Sequence, residues 1–205
     1  MNPQGNPQRS QRLRLVLVLG IFLAPVLLAW LLYQSGGDWF RGGTSNHGEL
    51  VTPARPLAPF TFRDNAGGEV NLGFFEQHWT LVYFGAATCE QACEASLYAM
   101  RQVRLALGKD MDRVQRLMVL PAGADLKQIG AVLAAYEGTR VVLGGTAELA
   151  DFMAQFALPG QAPATAHRLY LIDPLGNLMM SYPAGADPSG ILKDLQRLLR
   201  LSNIG

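Results

Sequence analysis

Histidine and cysteine are scarce in this 205-residue chain, which has three of the first and two of the second. A structural zinc site takes four ligands, and the sequence does not offer them. Charge is scarce as well. Asp, Glu, Lys and Arg make up 16% of the residues, the net charge is +1, and no basic cluster follows the N-terminal arginines. No nucleic-acid partner is therefore expected. There is no internal repeat and no low-complexity tract, which excludes repeat architectures.

One stretch lacks charge altogether. Residues 15–33 read LVLVLGIFLAPVLLAWLLY, long enough to cross a hydrocarbon core about 30 Å thick. A cleavable signal has an apolar region of only about 7–15 residues, and no small-x-small site follows this one. The run therefore reads as an uncleaved anchor that contacts the lipid bilayer. Pro25 is tolerable in such a helix, and Trp30, Tyr33 and Trp39 suit its far interface. Arg9, Arg12 and Arg14 precede the run, whereas Arg41, near Asp38 and Glu49, is the one cation of the short segment after it. The positive-inside rule then keeps residues 1–14 in the cytoplasm and exports the rest. In a bacterium this means a single-pass inner-membrane protein with its C-terminal domain in the periplasm, where disulfides form.

Residues 34–59 are rich in Gly, Pro, Ser and Asn and read as a tether, with His47 a solvated linker histidine. The remainder, 60–205, is one domain's worth of chain. Phe60–Arg63 and Glu69–Leu72 flank the turn DNAGG as a hairpin. WTLVYF (79–84) is a continuous apolar run, as for a strand buried on both faces. Ala95–Leu107 has helical periodicity, with Leu97, Met100, Val103 or Arg104, and Leu107 on one side. LMVL (117–120) is a second buried strand. Residues 125–136 read as a helix capped by Asp125 or Ala124, 140–143 as a strand, and Thr146 caps a helix ending near Ala157. Leu169–Ile172 and Leu178–Tyr182 flank the turn DPLGN. Asp187–Leu201 is amphipathic, with Ile191, Leu195, Leu198 and Leu199 inward. This order predicts an α/β, thioredoxin-like mixed sheet with helices on both faces, an N-terminal hairpin and one preceding transmembrane helix.

The two cysteines, Cys89 and Cys93, follow the strand 79–84 and precede the helix 95–107. Four apart in a helical turn, they converge on one point. The start of a helix lowers a thiol pKa, while Glu90 and Glu94 beside them act in the opposite sense. The pair suits a disulfide, a redox couple or two soft ligands for Cu(I), to which one imidazole adds a third. His47 lies in the tether and His78 just before the buried strand. His167, before strand 169–172, is the histidine placed to be that ligand in a thioredoxin-like sheet. A general thioredoxin-type reductase has Cys-x-x-Cys and a Pro just before the penultimate strand; here the spacing is longer and His167-Arg168 takes that place. A peroxidase's Thr-x-x-Cys is absent too, since Thr88 adjoins Cys89.

YFGAATCEQAC resembles the Sco/SenC family of cytochrome c oxidase assembly proteins, in which a strand ending in Phe-Gly leads into Cys-x-x-x-Cys. FTFRDNAGGEV is similar to that family's opening hairpin, RVVLGGTAELADFMAQFAL to its strand, turn and helix, and RLYLIDPLGNLMMSY to its terminal hairpin. The resemblance covers about residues 57–200. It implies copper held by Cys89, Cys93 and His167, and delivery of copper or electrons to the dinuclear copper site of oxidase subunit II. As an oxidoreductase, its catalytic pair would be Cys89 and Cys93. A relative without copper would keep the domain for a structural assembly role. Glu90, Gln91 and Glu94 stand where the family usually has Pro and Asp. The usual ligand position is that of Thr165; in an extended segment His167, two residues on, shares its face about 7 Å away.

Overall fold

The uncharged run forms the middle of a single helix, α1 (Pro7–Gln34), with Pro25 inside it. Within α1, Arg14–Leu32 is 19 residues of mean hydropathy 2.8, about 28 Å at 1.5 Å per residue and so long enough to cross a membrane. Its large apolar side chains, among them Leu15, Ile21, Phe22 and Trp30, are exposed. The structure, a computed structural model, describes residues 7–34, 46–64 and 67–202. The expectations for Trp39, Arg41 and the first part of the tether, and for Asn65 and Ala66 of the first turn, lie outside the described residues. The chain divides into two units, Met1–Ser45 and Asn46–Gly205.

The second unit is built on one eight-stranded sheet. In chain order its elements are β1 (Glu49–Pro56), β2 (Thr61–Asp64), β3 (Glu69–Asn71), β4 (Trp79–Phe84), α2 (Gln91–Ala106), β5 (Val114–Pro121), α3 (Leu126–Leu133), β6 (Thr139–Gly144), α4 (Thr146–Ala154), the one-turn α5 (Pro163–Ala166), β7 (Leu169–Ile172), β8 (Asn177–Tyr182) and α6 (Pro188–Leu201). Across the sheet the strands run β1-β8-β7-β4-β5-β6-β2-β3. The central trio β4, β5 and β6 is parallel, and β7 and β8 return antiparallel beside β4. This is the thioredoxin-like mixed sheet the alternation predicts. The buried strand β4 holds it together: all six residues are buried, with Leu81, Val82 and Tyr83 wholly so.

Because side chains alternate along a strand, β4 divides its residues between two cores. Trp79, Leu81 and Tyr83 pack with Cys89, Cys93, Leu97, Met100, Val103 and the inward face of α6. Val82 and Phe84 face a second cluster that includes Phe62, Phe75, Phe152, Phe156 and Tyr170. The inward positions expected of α6 hold: Ile191, Leu195 and Leu199 are buried and Leu198 is packed against the core.

Three expectations are corrected. Residues 49–56, assigned to the tether, form edge strand β1 against β8. Pro53 and Pro56 lack an N–H and so suit an edge; no residue of β1 is fully buried, so the strand lacks the alternating pattern that would reveal it. His47 is not a solvated linker residue. Its main-chain N–H and that of Gly48 donate to the buried Asp194 carboxylate of α6 at 2.9 Å each, and its ring Nδ1 lies 3.3 Å from the same group. The place for a Cβ on Gly190 lies 2.9 Å from the His47 side chain, so only glycine lets the histidine dock there. Finally, Gly145 rather than Thr146 holds the N-cap position of α4.

Candidate redox and metal site

The site grows from the C-terminal end of β4. Gly85 leaves the strand with its N–H bonded to the Val119 carbonyl of β5 at 2.9 Å. A Cβ here would fall 2.6 Å from Leu120 Cδ2 and 2.7 Å from Met118 Cε, so a larger residue would have to displace two buried side-chain ends of β5. The loop that follows is tied down twice. Asp125 donates its N–H to the Ala87 carbonyl at 2.8 Å. The Gln128 side-chain amide accepts from Cys89 N–H at 3.0 Å and donates to the Cys89 carbonyl at 2.8 Å, a two-point clamp on the first cysteine. Asp125 is the N-cap of α3, accepting from the N–H groups of Lys127 and Gln128. The cap that starts α3 therefore also positions the cysteine loop.

Helix α2 begins one turn earlier than periodicity predicts, at Gln91. Its N-cap, Glu90, makes no side-chain capping bond, so no cap signal marks the start. Cys93 thus stands in the first turn of α2, where the unpaired N–H groups and the positive end of the helix dipole favour a thiolate on reduction. Cys89 and Cys93 are joined in a disulfide with Cα atoms 5.2 Å apart. Each cysteine is only 3% exposed, so an incoming thiolate or metal ion reaches the sulfurs only when the loop yields.

The opposite wall of the site is made by the strand that neighbours β4. Tyr83 pairs with Leu169 across β4 and β7, which brings the segment preceding β7 to the cysteine end of the sheet. That part of the chain is His167, in the left-handed region at φ 46, ψ 33, where it terminates α5. Few non-glycine residues adopt this conformation, and those that do often mark functional positions. The His167 Nδ1 lies 3.1 Å from the Tyr83 hydroxyl. Burial pushes the Tyr83 phenol up to about 12, with Ser96 of α2 acting weakly in the opposite sense. The hydroxyl therefore stays protonated at physiological pH and can either donate to or accept from the imidazole. Ser96 is three residues past Cys93, and its hydroxyl donates to the Ala92 carbonyl at 2.9 Å.

Arg168 fixes the start of β7. It is 4% exposed and donates to Gln161 Oε1 at 2.7 Å, to Ser181 Oγ at 2.9 Å and to the Glu49 carboxylate. The last bond ties β1 to the site wall. The extended-segment argument relating His167 to position 165 does not hold, because 163–166 is helical; Thr165 is exposed on that turn. The structure thus joins Cys89 to Cys93 directly and sets His167 on Tyr83. In this oxidised form, no three His, Cys, Asp or Glu side chains among the described residues come together to hold a metal ion. Sequence reasoning missed Tyr83, Gln128 and Arg168. Asp125-x-x-Gln128 has the spacing of a capping box, a signal for the α3 start but not for the bond to Cys89.

Residues 79–202 match the family of transmembrane-like, thioredoxin-like C-terminal domains, and the chain belongs to that family. Among curated proteins none matches by sequence. Solved structures resemble it over about 70% of its length. The copper-bound ScoI of Bradyrhizobium japonicum is 22% identical, with a TM-score of 0.55 over 69% of this chain and 98% of its own. Copper-bound yeast Sco1 is 17% identical, with a TM-score of 0.61 over 72% and 90%. The thioredoxin domain of a thiol-disulfide oxidoreductase from Bacteroides vulgatus is 17% identical, with a TM-score of 0.55 over 72% and 98%. At these identities the likeness is one of fold.

Proposed function

We propose that this member of the thioredoxin-like family is a membrane-anchored copper-handling assembly factor whose domain, residues 60–205 with β1, works outside the cytoplasm. The observation that carries this reading is the Tyr83 bridge, which holds His167 at the same end of the sheet as the cysteine pair. The anchor 15–33 and Arg9, Arg12 and Arg14 before it support a cytoplasmic N-terminus and a periplasmic domain in the bacterial inner membrane. Likeness to copper-bound Sco structures supports copper as cargo, and the resemblance of YFGAATCEQAC to oxidase assembly proteins makes cytochrome c oxidase subunit II the proposed recipient.

The chemistry follows from the donor set. A reduced partner dithiol attacks the Cys89–Cys93 bond, passes two electrons, and leaves as a disulfide while the two cysteines take up its protons. The resulting thiols lose their protons on taking Cu(I), a soft ion that favours sulfur. With the Tyr83 hydroxyl accepting from His167 Nδ1–H, Nε2 is the donor left for the ion. Anaerobic titration of the reduced full chain in detergent tests this. One Cu(I) per chain is expected in wild type, with none bound tightly by Cys93→Ser and at least tenfold weaker binding in His167→Ala. Absence of a stoichiometric Cu(I) complex overturns the copper reading, and unchanged affinity in His167→Ala removes the histidine from it.

The bonded cysteines favour one alternative, a thiol-disulfide oxidoreductase that uses Cys89 and Cys93 to reduce the oxidase copper-site cysteines. It requires the reduced chain to transfer two electrons to a subunit II disulfide. A reduction potential too oxidising for that transfer excludes it.

A further inference from the structure

Far along α2 from the cysteines, three arginines surround one cavity. It measures about 330 Å³ and is lined by Arg101, Arg104, Leu105, Arg116, Ala134, Ala135 and Glu137. Arg116 occupies the middle of this group. It stands on the central strand β5, between Leu81 of β4 and Thr139 of β6, and is only 3% exposed. A guanidinium so deep in a sheet needs compensation, because a buried charge without a partner is strongly destabilising.

That compensation is incomplete in the chain itself. Arg116 Nη2 donates to the Glu137 carbonyl, while Nε and Nη1 are buried and meet no acceptor among the described residues. Two of its charged neighbours are cations, Arg104 and Arg101, and the Glu137 side chain lies exposed at the cavity edge. Burial, then Arg104, then Arg101 hold the Arg116 guanidinium down to about 10. Arg104 is already engaged, donating through Nε to the Val114 carbonyl and through Nη2 to Asp112 at 3.0 Å. Arg101 has no ion pair among the described residues, and the exposed Glu137 makes none with any of the three. Space for the guanidinium comes from Gly138, at φ +79, where a Cβ would stand 3.1 Å from Arg116 Nη2.

We propose that this cavity is an anion site that takes one phosphate group, with Arg116 at its floor and Arg101 and Arg104 at its rim. Shape selects phosphate over carboxylate. Asp112 and the Glu137 carboxylate at the rim offset two of the three arginines, which leaves one positive charge over the buried Arg116. A tetrahedral phosphate, unlike a planar carboxylate, presents oxygens to the Arg101 and Arg104 forks from different sides. The group comes either from free phosphate or from a phospholipid headgroup. The site lies roughly 12 Å along α2 from Cys93, at 1.5 Å per residue, and its occupancy does not depend on copper.

The test uses the full chain in phosphatidylcholine nanodiscs, titrated with inorganic phosphate at matched ionic strength and followed by calorimetry and thermal unfolding. One saturable phosphate per chain is expected, with a rise in unfolding temperature. Arg116→Met abolishes both responses while its unfolding temperature without phosphate is unchanged or higher, since an apolar side chain replaces an unpaired buried charge. Arg101→Gln, a substitution at the rim, weakens binding at least tenfold and keeps the fold. In phosphatidylglycerol nanodiscs, unchanged affinity assigns the site to free phosphate. An affinity at least tenfold weaker in wild type assigns it to the lipid headgroup. Absence of saturable binding in phosphatidylcholine discs, or equal affinity in wild type, Arg116→Met and Arg101→Gln, overturns the proposal.

Discussion

Tyr83 and Phe84 are neighbours on β4, both almost fully buried, yet they enter different interiors. Phe84 joins a cluster in which Phe60, Phe62, Phe152, Phe156 and Tyr170 meet at ring-centroid distances from 4.4 Å for Phe60 and Phe152 to 6.0 Å for Phe84 and Phe152, mostly tilted or edge-on. Such pairs add to the apolar burial that stabilises the fold. Tyr83 enters the other face, where its hydroxyl reaches His167 and where the cysteine pair, the buried Arg116 and the buried Asp194 are also found. Polar groups in that interior carry a desolvation cost that only specific partners offset. The difference assigns stability chiefly to the aromatic face and chemistry to the face beneath α2 and α6.

Substitutions that separate the two faces test this division. The largest effect is expected from Phe152→Ala, which opens a cavity in the aromatic cluster and costs about 3–5 kcal/mol in urea unfolding. The reduction potential of the cysteine pair should stay where it is; a shift of that potential would show that the faces are coupled. Next comes Gln128→Ala. Loss of the clamp leaves the Cys89 N–H and carbonyl without partners, at a cost of about 1–3 kcal/mol. Unlike the first variant, it should also speed reduction of the disulfide by dithiothreitol, because the loop covering the sulfurs is released. Tyr83→Phe is expected to cost only about 1 kcal/mol but to change the His167 ring resonances in NMR spectra.

The smallest effect is a pH dependence confined to alkaline conditions. Burial raises the phenols of Tyr83, to about 12, and of Tyr170, and Asp194 adds to the rise at Tyr182. Between their unfolded value of 10 and the folded values, the unfolded chain releases protons that the fold retains. Stability contributed by these groups is thus fully present below pH 10 and is lost as pH climbs toward 12. Arg116, lowered to about 10 from 12.5, acts in the opposite sense over the same range. Stability should therefore decline less steeply in Tyr83→Phe and more steeply in Arg116→Met, as denaturant midpoints measured from pH 9 to 12 would reveal.

Much of the fold was legible before any coordinate. The run WTLVYF read as a strand buried on both faces, and the spacing of Leu97, Met100 and Val103 announced a helix packed on it. Strand β1 was not legible, because its residues are half or fully exposed and it is held by partners more than a hundred residues away, Arg168 and the strand β8. Within the site, Cys89 and Cys93 stood out by their spacing. Gln128 did not, since a glutamine on a helix gives no sign that its amide turns to a distant main chain. The same holds for His47, whose partner Asp194 is 147 positions on.

By itself, the sequence determined what depends on local pattern: an uncharged run long enough to cross a bilayer, the alternation of strands and helices, and two thiols at the entrance to a helix. Apolar periodicity and charge are properties of neighbouring residues, so they can be read along the chain. Tertiary structure alone decided which polar groups meet. Tyr83 against His167, Gln128 against Cys89, and Arg116 buried without an acid are all set by the packing of β4 between β7 and β5, which brings together residues that no short spacing relates.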